Sequence, residues 1–284
     1  MSRCSTEGPI VAFMKQVIEE LPITKNLVIT NSDGFCPERN YGCLVKNQED
    51  LDAVSRPEDI VGILCTREFS DSRCICLPLD DESFAKGVVA HLQEQTTEVP
   101  WDEKRPIAYW RGSPTGAFFP TVRFRLVTAM VDSSIIDAKL VYSLNPHNWA
   151  KIKKFGHVAN TEDTRYWRPA VTLQDHLQYK YILIIDGNII SSAHQWVFAS
   201  GSVPLLVTDP NNEYWFKKYL EPMETFVPID YSLCDLEEKV QWLIDNDDKA
   251  KRIAENARAF AAKIFSPEFQ RSHLRSEIER VAGV

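Results

Sequence analysis

Three short polar stretches carry the residue types that a phosphate-handling site needs. The first, Arg111-Gly112-Ser113-Pro114-Thr115-Gly116, follows the apolar run Ile107-Ala108-Tyr109-Trp110, and Arg123 and Arg125 come one short helix later. Arginine presents a planar, permanently charged fork that can bond phosphate oxygens two at a time. The second stretch, Asp186-Gly187-Asn188-Ile189-Ile190-Ser191-Ser192-Ala193-His194, follows Tyr181-Ile182-Leu183-Ile184-Ile185 and puts Ser191 or Ser192 at the start of a helix expected over 193–200. Unbonded N–H groups and the helix dipole at such a start attract an anion, and a diphosphate would fit there. The third is Asp33, in Asn31-Ser32-Asp33-Gly34 just after Leu27-Val28-Ile29-Thr30. A carboxylate at a strand end can take a proton from a hydroxyl substrate. Each stretch also has a plainer reading: serine as a helix cap, arginine as a partner for a structural carboxylate, Asp-Gly as a turn dipeptide.

Other chemistries find less support. The turn around Gly112 lacks the Gly-Lys-[Ser/Thr] ending of a Walker loop and is not a full G-x-G-x-x-G fingerprint. There is no G-x-S-x-G elbow, and the six histidines show no H-E-x-x-H pattern. The acidic clusters Asp80-Asp81-Glu82 and Asp245-Asn246-Asp247-Asp248 could be sought as metal ligands. The second lies between two amphipathic helices, where capping and a solvated turn explain it, so no metal is expected. Seven cysteines, with Cys74-Ile75-Cys76 and Cys36/Cys43 outside paired C-x-x-C spacing, read as buried thiols. A net charge of −8 argues against a nucleic-acid partner. No apolar run approaches the roughly 18 residues of a membrane span, and Met1 to Pro9 does not read as a leader, so a cytoplasmic location is expected.

These turns need strands and helices to position them, and the patterning supplies both. Ile10, Met14, Val17, Ile18 and Leu21 predict an amphipathic helix between Pro9 and Pro22. Strands are predicted at 27–30 and 60–65, a helix around Phe84, Val88 and Leu92, and a domain boundary in the polar stretch 93–106. Beyond it come strands at 107–110, 138–141, 181–185, 203–207 and 225–228. Helices at 122–131, 193–200 and 236–246 precede a last amphipathic stretch through Ile253, Ala257, Phe260, Ala261 and Ile264. Such alternation predicts an α/β protein with mostly parallel sheets, ligands lying beyond the carboxyl ends of the strands.

Tyr109-Trp110-Arg111-Gly112-Ser113, Asp175-His176 with Tyr179-Lys180-Tyr181, Asp186-Gly187 with Ser191, Phe198 to Ser202, and Phe226-Val227-Pro228 with Asn246-Asp247-Asp248 together resemble glycosyltransferase family 90. These are the capsule-associated and Rumi-like O-glucosyl/xylosyltransferases, and the resemblance is co-linear from about Asn26 to Phe265. It implies a GT-B fold of two Rossmann-like domains with a cleft between them. Residues 1–100 would form the acceptor-side domain, 101–265 the nucleotide-sugar domain, and 266–284 a helix returning to the first. It implies inverting transfer from a UDP-sugar, with no metal and no other cofactor. Asp33 would be the general base. Arg111, Gly112, Ser113, Thr115, Arg123, Ser191, Ser192 and His194 would lie at the donor. Arg67, Phe69 and Asp71 would lie beside the acceptor, a glycan or glycoprotein. Ala193 stands where members commonly carry an arginine, and Pro114-Thr115 where they often have Arg-Thr. The likeness to short xylosyltransferase-type members from large algal viruses favours UDP-xylose over UDP-glucose, a capsid glycan as acceptor, and host cytoplasm. A nucleotide- or glycan-binding module without turnover is the reading from another class.

Overall fold

The computed structural model describes residues 9–23, 27–29, 59–63, 66–67, 72, 74–78, 82–116, 120–141, 162–187 and 190–284. The chain divides into two compact units. One takes Met1–His91, Asn211–Tyr219 and Ala261–Val284, the other Leu92–Pro210 and Leu220–Phe260. Beside the boundaries expected at 100 and 265, this division groups 211–219 and 261–265 with the first unit and 92–100 with the second.

In the first unit, helix α1 (Pro9–Glu20) begins on Pro9, whose missing N–H costs nothing in a first turn. Its buried residues Ile10, Met14 and Val17 fall on one face. Strands β1 (Leu27–Ile29), β2 (Ile60–Ile63) and β4 (Cys74–Cys76) form a parallel sheet in the order β1-β2-β4. The patterning did not predict β4. Among the described cysteines, Cys74, Cys76 and Cys234, there is no disulfide. Strand β3 (Thr66–Arg67) pairs antiparallel with β10 (Asn212–Glu213), which is why the segment around 212 joins this unit. Helices α2 (Glu82–Lys86) and α3 (Val88–Gln95) replace the single helix expected there, divided at Gly87 with φ +85°. The C-terminal helix α9 (Pro267–Ala282) starts on Ser266, whose side chain accepts the Phe269 N–H, and stops at left-handed Gly283. Its Leu274, Ile278 and Val281 share a core with Ile10, Met14, Val17, Ile60, Ile75 and Phe84.

Among the described residues the second unit has six parallel strands: β5 (Arg105–Gly112), β6 (Ile136–Val141), β7 (Trp167–Arg168), β8 (Tyr179–Ile185), β9 (Val203–Val207) and β11 (Val227–Pro228). Their order is β11-β9-β8-β5-β6-β7. Strand β8 is buried at every residue, as a central parallel strand covered on both faces must be. Among the described residues its helices are α4 (Val122–Ala129), α5 (Leu173–His176), α6 (Ala193–Ala199), α7 (Leu236–Asp245) and α8 (Asp247–Ile264), the last running past Phe260 into the first unit. Thr121 caps α4 by accepting the Phe124 N–H, and Thr172 with Asp175 forms a capping box on α5. Trp110, Phe124, Leu140, Trp167, Tyr181, Leu183, Leu205, Val240 and Ile253 belong to one core. Truncating the fully buried Trp167 to alanine would cost ~3–5 kcal/mol.

Two lysines inside this unit show how it handles charge. Lys180 of β8 sends its ammonium to Asp247, 2.7 Å away, and lies 4.8 Å from the Trp101 ring centre, while Trp101 Nε1 donates to the same carboxylate at 3.0 Å. Asp247, expected as part of a solvated turn, thus anchors a buried cation, because a lysine on a both-faces-buried strand needs an anion. Lys104 instead donates to the Leu177 carbonyl at 2.8 Å, the Ser202 hydroxyl at 3.0 Å and the Ser200 carbonyl at 3.4 Å. With only neutral acceptors, its pKa is pushed down by burial to about 8.

The strand order locates a crevice. From β5 the chain winds outward through β6 to β7, then returns to the centre and winds through β8 and β9 to β11 on the other side. The turns leaving the adjacent strands β5 and β8 therefore diverge, and such a divergence opens a binding crevice at their carboxyl ends.

Candidate active site

Arg123 stands at that divergence. It reaches from the first turn of α4, and burial lowers its pKa to about 10, which leaves it charged at neutral pH. Its Nη1 donates to the Ser113 carbonyl at 2.9 Å and to Thr115 Oγ1 at 2.7 Å. Nη2 donates to the Ile185 carbonyl at 2.8 Å, and Nε to the Asp186 carbonyl at 3.1 Å. One guanidinium thus ties the end of β5 to the end of β8. Four bonds to described residues use four of the five N–H groups an arginine has, leaving one on Nη2. Thr115 Oγ1 accepts from Arg123, so its own proton remains to be donated.

Two glycines make this packing possible. A Cβ on Gly187 would sit 3.2 Å from both Arg123 Nη2 and Thr115 Oγ1, filling the space beside the remaining N–H. A Cβ on Gly112 would meet the Trp110 indole at 2.4 Å, and that indole lies 5.6 Å from the Arg123 guanidinium. The Trp-Arg-Gly-Ser run therefore has a geometric reason: Gly112 admits Trp110, which in turn supports Arg123.

The net continues through side chains that the sequence reading did not place in the site. Asp186 is buried, and its Oδ2 accepts from Thr208 Oγ1 at 2.6 Å and from the Asp209 N–H at 3.0 Å. These bonds tie the end of β8 to the end of β9. The available signal was the polar Thr208-Asp209-Pro210 immediately after an apolar strand, the same pattern that marked Asp186-Gly187.

At the start of α6, Ser191 Oγ accepts the Ala193 N–H at 3.2 Å, while Ser192 makes no capping bond. His194 is buried with Nδ1 2.6 Å from the Ser191 carbonyl, and burial lowers its pKa. A neutral ring facing a carbonyl must carry its proton on Nδ1, so Nε2 holds the lone pair. Arg111 is placed elsewhere than Arg123. Its Nη1 donates to the Trp110 and Asp137 carbonyls, each at 2.9 Å, and its Nη2 to Asp137 Oδ2 at 2.8 Å. Its guanidinium lies 4.3 Å from the Tyr109 ring centre.

Asp33, Phe69 and Asp71 lie outside the described residues. Arg67 is described through its backbone, paired with Asn212 across β3 and β10. Among the described residues no cluster of three or more His, Cys, Asp or Glu could hold a metal ion, and no helix is long and apolar enough to cross a membrane.

The model of the family described as Glycosyl transferase family 90 matches residues 85–269. The chain is 27% identical over 269 residues to Uncharacterized protein 179R of Invertebrate iridescent virus 6, a match covering 84% of this chain and 22% of that protein. It is 28% identical over 169 residues to Protein O-glucosyltransferase 1 of Homo sapiens, covering 60% of this chain and 40% of the relative. The chain thus spans well under half the length of either. The crystal structure of Anabaena HepE in complex with UDP-glucose superimposes with a TM-score of 0.56 at 12% identity, covering 95% of this chain and 75% of that one. At that identity the likeness is one of fold: a mixed α/β architecture resembling GT-B glycosyltransferases with two Rossmann-like domains.

Proposed function

The chain belongs to glycosyl transferase family 90, and from that premise we propose that it transfers glucose from UDP-glucose to a hydroxyl of a glycan or glycoprotein acceptor, with inversion and without a metal. The observation that carries the reading is the Arg123 net, which puts a fixed positive charge at the divergence of β5 and β8. The name of the human O-glucosyltransferase relative and the UDP-glucose held by HepE favour glucose over the xylose expected from sequence.

In this reading the donor diphosphate sits against the remaining Arg123 N–H, the Thr115 hydroxyl and the backbone beside Gly187. Gly112 and Ser113 shape the turn, and the Ser191-Ser192 turn with His194 lies at the donor's other side. Arg111, committed to Asp137, is left out of the donor set. Asp33 takes the proton of the acceptor hydroxyl, and Arg67, Phe69 and Asp71 serve the acceptor. The acceptor oxygen attacks the anomeric carbon, the bond from that carbon to the diphosphate breaks, and the electron pair leaves on UDP.

The test is a thermal-shift series with UDP, UDP-glucose, UDP-xylose and NAD at equal concentration, followed by transfer assays. A ligand at 100 times its Kd stabilises by ~2.7 kcal/mol. Stabilisation by UDP and UDP-glucose is expected, and stabilisation by NAD alone would overturn the transferase reading. Faster turnover of UDP-xylose than of UDP-glucose would return the donor to xylose. Asp33→Asn should abolish transfer while UDP still binds; retained transfer removes Asp33 as the base.

A further inference from the structure

The sheet face on which Arg111 lies holds more positive charge than the structure neutralises. Strand β6 alternates, with Ile136, Ala138 and Leu140 in the core and Asp137, Lys139 and Val141 on the other face. On β5, Trp110 is in the core, so Tyr109 and Arg111 take that other face; on β7, Trp167 is in the core, so Arg168 takes it. The register then sets Arg111 directly opposite Lys139 and Val141 opposite Arg168, all near the carboxyl ends of three adjacent strands.

Like charges directly opposite on neighbouring strands oppose folding. Asp137 relieves part of this by pairing with Arg111, whose side chain is 8% exposed while that of Asp137 is 36% exposed. The rest is unanswered among the described residues. Arg111 Nε is buried with no hydrogen-bond partner. Lys139 makes no hydrogen bond or ion pair, and Arg168 bonds only the carbonyls of Thr164 and Trp167. Burial lowers the Lys139 pKa; Asp137 opposes that shift, Arg111 and Arg168 add to it, and Asp132 is the weakest contributor. A buried donor without an acceptor and a half-buried ammonium in no ion pair are what an anion site looks like before its ligand arrives.

We propose that Arg111, Lys139 and Arg168 form a second anion site, holding a phosphoryl group other than the diphosphate of the donor. Its position on the β5-β6-β7 half of the sheet separates it from the Arg123 net, which joins β5 to β8 and lies on the Trp110 side of β5. The phosphoryl group can come from a phosphorylated sugar or from inorganic phosphate, which present the same oxygens.

The experiment titrates the full chain with inorganic phosphate, and separately with glucose 6-phosphate, at constant ionic strength set with sodium chloride. Each titration is run with and without saturating UDP, following melting temperature and heat of binding. Phosphate should raise the melting temperature beyond chloride, with or without UDP. Tighter binding of glucose 6-phosphate assigns the group to a sugar-borne ligand, and equal binding assigns it to inorganic phosphate. Lys139→Gln with Arg168→Gln should weaken phosphate at least about tenfold and leave UDP binding unchanged, with fold checked by circular dichroism. Should the double variant not fold, Lys139→Gln alone is measured against the same expectation of weaker phosphate. Displacement of phosphate by UDP, unchanged affinity in the variants, or no effect beyond chloride would overturn the proposal. Because phosphate is also measured without UDP, a failure of the UDP-glucose reading is distinguishable from a failure of this one.

Discussion

Replacing Arg123 with alanine separates a structural from a ligand-contacting guanidinium. The substitution strips hydrogen bonds from the Ser113, Ile185 and Asp186 carbonyls and the Thr115 hydroxyl in a buried place. A buried acceptor left without a partner costs ~1–3 kcal/mol, but water entering the space and the second lone pair of each carbonyl reduce the sum. Loss of the cation beside Trp110 adds ~0.5–1 kcal/mol. The expected total is about 3–5 kcal/mol, a large share of the ~5–15 kcal/mol that holds a domain together. At ~2–4 °C per kcal/mol, the melting temperature of the second unit should fall by roughly 6–20 °C. Arg123→Lys keeps the charge, but an ammonium concentrates its donors at one point and cannot span both strand ends, so about half the loss should remain. Calorimetry gives the melting temperatures, and isothermal titration well below them gives UDP-glucose affinity. An Arg123→Ala protein that melts within about 2 °C of wild type while losing UDP-glucose would refute the strut and leave Arg123 as a ligand contact alone.

Tyr181 is fully buried, and its hydroxyl has no hydrogen-bond partner among the described residues; Tyr181→Phe should be neutral or stabilising by up to ~1 kcal/mol in denaturant melts, and a loss above that would show that the hydroxyl is bonded in the folded protein. Gly187→Ala would press a methyl against Arg123 Nη2 and Thr115 Oγ1, each 3.2 Å away, so UDP-glucose affinity should drop about tenfold with little change in melting temperature; unchanged affinity would move the diphosphate away from this turn. Lys104 has a folded pKa of about 8 against an ordinary 10.5, so above pH 8 the unfolded chain holds a proton that the native one releases, and stability rises with pH up to the unfolded value. Relative to Lys104→Met, wild type should gain up to about 2 kcal/mol between pH 8 and 10, and parallel pH profiles would mean that Lys104 stays protonated there.

What was legible in the sequence followed burial. Strands β8 and β9 are covered on both faces, so Tyr181–Ile185 and Val203–Val207 read as unbroken apolar runs, and the helices predicted at 122–131 and 236–246 correspond to α4 and α7. Strands of two or three residues such as β4 and β7 are too short to show a period, and Cys74-Ile75-Cys76 drew attention for its sulfurs instead. Contacts made across long stretches of chain were not legible. Lys180 finds Asp247 only because α8 begins beside β8, and Asp186 finds Thr208 only because β9 is laid next to β8. Nor does any local signal tell that Asn212 leaves the large sheet to pair with Arg67.

The two arginines show why a strand-end motif underdetermines its site. Arg111 and Arg123 both follow the Ile107–Trp110 run, and residue type alone assigns them the same work on a phosphate. Alternation along β5 separates them. Trp110 faces the core that α4 covers, so Arg123, arriving from α4, meets that indole and reaches across to β8. Arg111, one residue on, is turned to the opposite face, where it meets Tyr109 on its own strand and Asp137 on β6. A single period-2 step thus sends one guanidinium to the divergence of β5 and β8 and the other to the β6 side. The diphosphate reading therefore depends on Arg123 and not on the arginine inside the Arg-Gly-Ser motif. An Arg111→Gln protein should keep its UDP-glucose affinity within about twofold, and a loss comparable to that of Gly187→Ala would bring both arginines back to one ligand.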